Sequence, residues 1–453
     1  MTFKTTLYTG AAMVALGTGM AQAQDFVFPK GEGAFSWDSL EEFASNHDYS
    51  GQSIDITGPW TGADAELMES VVAYFEEATG ASVNYSGSDS FEQDIVISTE
   101  ANSAPNIAVF PQPGLLADLA QRGAITPLEP ETAEWIRENY SAGESWVDLA
   151  SFEGEGGEEH LYAFPYKIDV KSLVWYVPEQ FEEAGYEVPE TYEGLKELTQ
   201  QMADDGVTPW CIGLGSGAAT GWPATDWVED LMLRTATPEQ YDAWVANDLA
   251  FDSPEVVNAI EEYGFFLQDG FVNGGREAAA TTDFRDSPSG LFQFPPECYM
   301  HKQATFIPTF FPEGSEVGTD VDFFYFPAPE GGDAEQPVLG AGTMFAITND
   351  SEPARGFIEY LQTPLAHEIW AAQGGLLTPH TGINPEVFGT DDQRALNDIL
   401  LDATTFRFDA SDLMPGEIGA GAFWTQMVEF TTGSQDAQAT GEAIQSRWDQ
   451  LSN

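Results

Sequence analysis

Three strand–turn–helix units follow one another between Ile54 and Gln121, and this serial order confines the segment to a sheet whose strands run parallel. Ile54-Asp55-Ile56 alternates as a strand. After Gly58-Pro59-Trp60-Thr61-Gly62, the residues Leu67, Met68, Val71, Val72, Phe75 and Ala78 recur at helical spacing until Gly80 ends the helix. Val83 and Tyr85 alternate in a second strand, and Ser88-Asp89-Ser90 offers capping side chains to a helix over Phe91 to Asn102. Ile107 to Phe110 is a third, wholly apolar strand, followed by the turn Pro111-Gln112-Pro113-Gly114 and a short helix over Leu115 to Gln121, closed by Gly123. Right-handed crossovers set all three strand ends on one edge, where sheets of this kind hold ligands. Trp60, Asp89 and Gln112 are therefore expected to share that edge.

The pattern restarts at Leu173 to Val177, with a helix over Thr191 to Ala203, a strand around Trp210 to Leu214 and a helix over Ala224 to Thr235. Val338 to Thr348 reads as an apolar strand returning to the first sheet. Helices are predicted near Pro353 to Leu361, Pro364 to Ala372, Asp391 to Ala403 and Gly433 to Leu451. Tyr162 to Lys171 and Pro327 to Leu339 are the natural crossover strands of a hinge. The acidic run Glu153 to Glu159 reads as a solvated loop, and there is no internal repeat.

Met1 to Ala23 has the form of an export signal: Lys4, an apolar stretch from Leu7 to Met20, and Ala21-Gln22-Ala23 as a cleavage pattern before Gln24. The absence of a cysteine beside that point favours a free periplasmic protein over a lipid-anchored one. Cys211 and Cys298 are the only cysteines, and in an oxidising compartment they are expected to pair. Closing a loop of that length stabilises a fold by about 4 to 5 kcal/mol on the chain-entropy view.

The chain carries 75 acidic and 15 basic residues, a formal charge of −60, which repels phosphate polyanions and excludes nucleic acid as a partner. No G-x-S-x-G, G-x-x-x-x-G-K-[ST], H-E-x-x-H or dinucleotide G-x-G-x-x-G motif is present, so no enzymatic activity, cofactor or metal is expected. Gly213-Leu214-Gly215-Ser216-Gly217 has no accompanying cation to hold phosphate and reads as a turn. Paired carboxylates suitable for a glycosidase carry no information among so many acids. Trp60, Trp175, Tyr176, Trp210, Trp222, Trp227 and Trp424 lie beside Gly or Pro or at strand ends, where an indole can be displayed. An aromatic face ringed by polar side chains is the natural host for the C–H face of a neutral polyhydroxylated ring.

Several stretches resemble an extracellular solute-binding protein of an ABC sugar importer. They are Ile54-Asp55-Ile56 with Trp60-Thr61-Gly62, the helix end Phe75-Glu76-Glu77-Ala78-Thr79-Gly80, Pro105 to Gly114, and Ala163-Phe164-Pro165-Tyr166-Lys167 leading to Leu173-Val174-Trp175-Tyr176. The resemblance covers essentially the whole mature chain. It is closest to the α-glucoside-binding members, through Pro209-Trp210-Cys211, Cys298-Tyr299-Met300-His301, and Phe406-Arg407-Phe408-Asp409 through Asp412-Leu413-Met414-Pro415. Pro105-Asn106 departs from the usual Pro-Asp without touching the expected site, and Cys211 with Cys298 resembles a second-domain disulfide of the family.

The resemblance implies a two-domain α/β periplasmic-binding-protein fold, each domain a mostly parallel sheet flanked by helices and joined by a hinge. The first domain takes residues 24–166 plus about 340–400, the second about 167–339 plus 401–453. It implies a monomer that closes on an α-glucoside such as maltose, trehalose or sucrose and delivers it to a membrane permease. A glucosyl osmolyte, pentose oligomer or polyol is the alternative ligand, and a secreted glycoside hydrolase the alternative activity. On the family pattern the ligand contacts are Trp60, Thr61, Asp89, Gln112, Lys167, Asp169, Trp222, Asp226, Arg407 and Trp424. The simpler roles are helix capping for Asp89 and Asp226, a surface charge for Lys167, and charge balance for Arg407.

Overall fold

Ile54 and Ile56 are buried while their neighbours in Ser53–Gly58 (β1) face outward, so one face of this strand must be covered by helices. In the computed structural model, which describes residues 26–141, 143–331, 336–402 and 405–451, β1 lies parallel to both Ser82–Gly87 (β2) and Ile107–Phe110 (β3). The expected signal segment, residues 1–23, lies outside the described residues. The helix Ala63–Thr79 buries Met68, Val71, Val72 and Phe75 and stops at Gly80, whose φ of 71° turns its N–H back onto the Glu76 carbonyl. The helix after β3 begins at Pro113, two residues before Leu115, because proline's fixed φ suits the first helical position. The acidic run forms the tip of a small hairpin, Ser151–Glu153 (β4) with Glu159–Leu161 (β5).

Ala163–Val170 (β6) is buried at every residue and leads through Lys171 and Ser172 into Leu173–Tyr176 (β7). Met300–Lys302 (β8) and Asp322–Tyr325 (β9) flank β7, both antiparallel to it. Pro337–Ile347 (β10) pairs antiparallel with β6 from Gly340 to Ala346. It also meets β3 antiparallel near its end, and Thr405–Phe408 (β11) parallel near its start. The long strands β6 and β10 thus run side by side from one packed region to the other. One core surrounds β1 to β3 and includes Phe75, Phe110, Phe345 and Trp370. The other lies among the helices Trp222–Thr235, Pro254–Phe266, Trp424–Thr432 and Ala437–Leu451, and includes Trp210, Trp227, Phe266 and Trp448.

The mixed α/β architecture agrees with the sequence, and three details differ. The second sheet is antiparallel around β7. Strand–helix alternation cannot anticipate this, because the helices between Tyr176 and Met300 add no strand to the sheet they cover. Trp210 to Leu214 is not a strand. Trp210 makes single bridges to Val272 and Met300, and the Pro209 carbonyl accepts from the Tyr299 and Met300 amides, so no regular ladder forms. The second crossover begins at Pro337 and is the same strand as the predicted return to the first sheet, rather than a separate segment from Pro327 to Leu339. Cys211 and Cys298 are disulfide-bonded.

Candidate ligand-binding cleft

The parallel pairing of β1 with β2 and β3 brings the loops after all three strands to one edge, and that edge forms one wall of a cleft. The opposite wall comes from the segments around Trp222, Phe284, Phe306 and Trp424, and the floor from Lys167, Asp169, Lys171 and Ala341 to Thr343 where β6 and β10 pair. The cleft encloses about 920 Å³ of non-atom space, open solvent at its mouth included.

Of the residues expected to contact a ligand, Trp60, Asp89, Gln112, Lys167, Asp169, Trp222 and Trp424 line this cleft. Thr61 sits at its mouth, its hydroxyl donating to Asp89 Oδ1. Lys167 is no surface charge: it is 2% exposed and holds both oxygens of Asp169, at 2.7 and 2.5 Å. Asp226 is buried behind the wall, bonded to Lys171 at 2.7 Å, and does not line the cavity. Arg407 is placed elsewhere. On β11 its guanidinium takes Asp242 in a two-pronged pair at 2.6 and 2.9 Å, so it balances surface charge and is no cleft residue.

The aromatic expectation divides in the same way. Trp175 and Trp210 are fully buried and Trp227 nearly so: their indole N–H groups or rings are taken by Gln303, Thr199, Tyr263 and Phe266, and they belong to the cores. Trp60 forms cleft wall but is 6% exposed, its ring edge-on to Trp370 at 4.8 Å. The Tyr85 hydroxyl clamps its backbone, accepting from the Trp60 N–H and donating to its carbonyl. Trp222 is half-buried and stands edge-to-face with Phe284 at 5.0 Å. Gly221 makes this placement possible: its φ is +121°, and a Cβ there would lie 2.4 Å from the Trp424 carbonyl oxygen, so only glycine lets Trp222 and Trp424 share one wall.

Asp64, Glu92, Lys171, Phe284, Arg285, Phe306, Thr343, Ser411 and Asp412 also line the cleft and were not legible as site residues. The scarcity of cations was the available signal. Of fifteen basic residues in the chain, Lys167, Lys171 and Arg285 line the cleft, and each is engaged by a carboxylate: Asp169, then Asp226 and Asp409, then Asp89 and Asp283. In contrast, Asp64 Oδ1, Gln112 Oε1, Arg285 Nε, Thr343 Oγ1 and Trp424 Nε1 are buried without a hydrogen-bond partner among the described residues. Both donors and acceptors stand among these five.

Behind the floor lies a dense charge network. Lys171 Nζ is 2.7 Å from Asp226 and 2.5 Å from Asp409, while Asp230 accepts from Ser172 and pairs with Lys302 and Arg234. Burial pushes Asp226 up to about 7 and holds Glu229 and Asp412 well above the carboxylate range, with repulsion from Asp409 adding to it. Asp409 is also buried, but Lys171 and its hydrogen bonds keep it below its ordinary value. Burial and mutual repulsion thus favour the protonated form of Glu229 and Asp412, while Lys171 favours the ionised form of Asp409. Oxygens of Asp226, Glu229 and Asp409 lie within 4.8 Å of one another, close enough for a metal-ligand set, and the Lys171 ammonium pairs with Asp226 and Asp409 of the three.

An interlobe cleft over paired crossover strands has counterparts among known proteins. The chain is 57% identical to the alpha-glucosides-binding periplasmic protein AglE of Rhizobium meliloti, an alignment covering 99% of this chain and 100% of that one. It is 42% identical to the osmoprotective compounds-binding protein GgtB of Synechocystis, over 89% and 94% of the two chains. The bacterial solute receptor AcbH superposes with a TM-score of 0.73 over 88% of this chain and 99% of that one at 18% identity, which speaks for the fold alone. Residues 58–368 match the family of bacterial extracellular solute-binding proteins, and with that match the cleft, its hinge strands and its two full-length relatives agree: this chain belongs to that family.

Proposed function

We propose that the protein is the substrate-binding component of an ABC carbohydrate importer, that it takes an α-glucoside such as maltose, trehalose or sucrose into the cleft, and that it passes this sugar to the membrane permease. The observation that carries the reading is the division of labour among the cleft's polar groups. All three cations are already neutralised by carboxylates, so an anionic ligand finds no free partner, whereas five buried donors and acceptors stand unmatched between indole walls. A neutral ring with a hydroxyl rim satisfies such groups and stacks on such walls. AglE, so similar along its whole length, is an α-glucoside binder by name.

The binding step is a population shift: a sugar touching both walls lowers the closed form relative to the open one, with β6 and β10 as the hinge. No bond is broken. The protein works as a monomer exported by a cleaved signal over residues 1–23, and no described helix is long and apolar enough to cross a membrane. A second reading, a glucosyl osmolyte as ligand, is favoured by the 42% identity to GgtB. Calorimetry with maltose, trehalose, sucrose and glucosylglycerol separates the two by rank order of affinity. Heat from none of the four overturns both readings, and glucose released during incubation would show a hydrolase instead.

A further inference from the structure

Arg285 joins the two walls of the cleft by side-chain hydrogen bonds. It lies in the second wall, where the amide of the preceding Phe284 donates to the Gly215 carbonyl. Across the mouth its Nη2 donates to Asp89 Oδ1 at 2.6 Å and to Thr61 Oγ1 at 3.0 Å, residues of the loops after β2 and β1. The Thr61 hydroxyl in turn donates to Asp89 Oδ1 at 3.2 Å, so two donors, one from each wall, converge on one oxygen. Nη1 is held on its own side by Asp283 at 3.3 Å, and the guanidinium carbon Cζ lies 4.4 Å from the centroid of the Phe284 ring that abuts Trp222. The approach of the walls here is close: the Ala218 amide donates to the Asp89 carbonyl, and a Cβ on Gly217 would come within 2.9 Å of Asp89 Cβ. The guanidinium's remaining donor, Nε, is buried in a residue that lines the cleft and has no hydrogen-bond partner among the described residues.

We infer that Arg285 is a ligand-sensing clasp: a sugar hydroxyl accepting from Nε fixes the guanidinium in the plane that lets Nη2 reach Thr61 and Asp89, so one side chain reads occupancy and locks closure. This rests on the functional reading above. It makes Arg285 a ligand contact, and Thr61 and Asp89 positioning residues that act through it. The geometry accounts for the use of arginine: a lysine has one point of charge and cannot offer a donor to the cleft and a separate donor across the mouth in one rigid plane.

The test is calorimetry of the full mature chain with maltose, trehalose and sucrose at low and high salt, together with small-angle scattering with and without saturating sugar. Asp89→Ala is expected to weaken the preferred sugar about tenfold, and Arg285→Ala by more. The double variant should bind no worse than Arg285→Ala alone, because the clasp is lost once. A neutral sugar has no charge for salt to screen, so any salt-induced weakening in the wild type that exceeds that of Asp89→Ala reports the clasp. Wild-type affinity in Asp89→Ala, or additive losses with an unchanged salt response, would mean a passive surface pair or a direct Asp89 contact and overturn the inference. Should the wild type bind none of the sugars, the functional reading fails and the sensing step fails with it. A wild type that binds a sugar and contracts on binding to the same radius of gyration as Asp89→Ala ends the clasp alone.

Discussion

Lys171 Nζ stands 2.5 Å from Asp409 Oδ2 with both side chains almost wholly buried, and both also line the cleft, so the charge network behind the floor and the binding surface are one structure. Removing the ammonium leaves Asp226 and Asp409 facing each other in a dry site, the situation that costs about 3 to 5 kcal/mol when a buried pair is broken. Lys171→Met should therefore lower the melting temperature sharply at pH 8. Part of the loss should return at pH 5, where the carboxylates can take up protons. An unchanged melting temperature at pH 8 would show that the network does not hold the lobe together.

The network also fixes the sign of the pH dependence. Asp226 is raised by burial from 3.8 to about 7 and Asp64 likewise to about 6, so the folded chain binds more protons than the unfolded one in this interval. Their contribution to stability is full below about pH 4 and is lost as pH rises through 6 to 7. Stability should fall from pH 5 to pH 8, and Asp226→Asn, which cannot ionise, should flatten the slope. Measuring melting temperature against pH for both chains checks this. Parallel curves would assign the slope to the self-repulsion of the acidic surface instead.

The two tryptophans of opposite walls are expected to respond differently to truncation. Trp222 is half-buried and presents itself to the cleft, so Trp222→Ala should weaken sugar affinity more than tenfold, about 1.4 kcal/mol, with little change in the melting temperature. Trp60 is 6% exposed and packed on Trp370 and Phe345, so Trp60→Ala should lose stability as well, by about 3 to 5 kcal/mol for an emptied aromatic site. Equal melting temperatures for the two variants would contradict the packing described here.

What the sequence disclosed and what it withheld follow a physical line. The edge loops carrying Trp60, Asp89 and Gln112 were readable because strand order fixes which ends of parallel strands meet. Trp175, Trp210 and Trp227 misled because a nearby Gly or Pro, or a strand end, marks where an element stops but not which way a side chain points, and all three rings turn inward. Arg285 and Asp64 gave no local sign. Their roles arise from a partner 196 residues away and from burial by a separate wall, and neither pattern has a period in the chain.

Arg407 provides a control for the assignment of the cleft. Its pair with Asp242 is partly solvent-exposed, and surface pairs contribute about 0 to 1 kcal/mol. Arg407→Ala should leave sugar affinity within twofold of the wild type by calorimetry. A tenfold loss would place the binding surface beyond the residues named here.

The disulfide offers a test of how the second wall is held. Cys211 and Cys298 are 87 residues apart in sequence, and the bond ties the segment leading to Gly215 to the chain that follows the Ser287–Phe292 turn. Gly290 sits directly against it, since a Cβ there would lie 2.4 Å from Cys298 Sγ. A loop of this length stabilises by about 4 to 5 kcal/mol if the effect lies mainly in the unfolded chain. Replacing both cysteines by serine should therefore shift the denaturant midpoint down strongly, and adding reductant to the wild type should approach the same value. Neither cysteine lines the cleft, so the sugar affinity of the chain that remains folded should be close to that of the wild type. A variant that keeps its midpoint but loses affinity would reverse this assignment: the bond would then serve to position the Phe284–Arg285 segment rather than to restrain the unfolded chain.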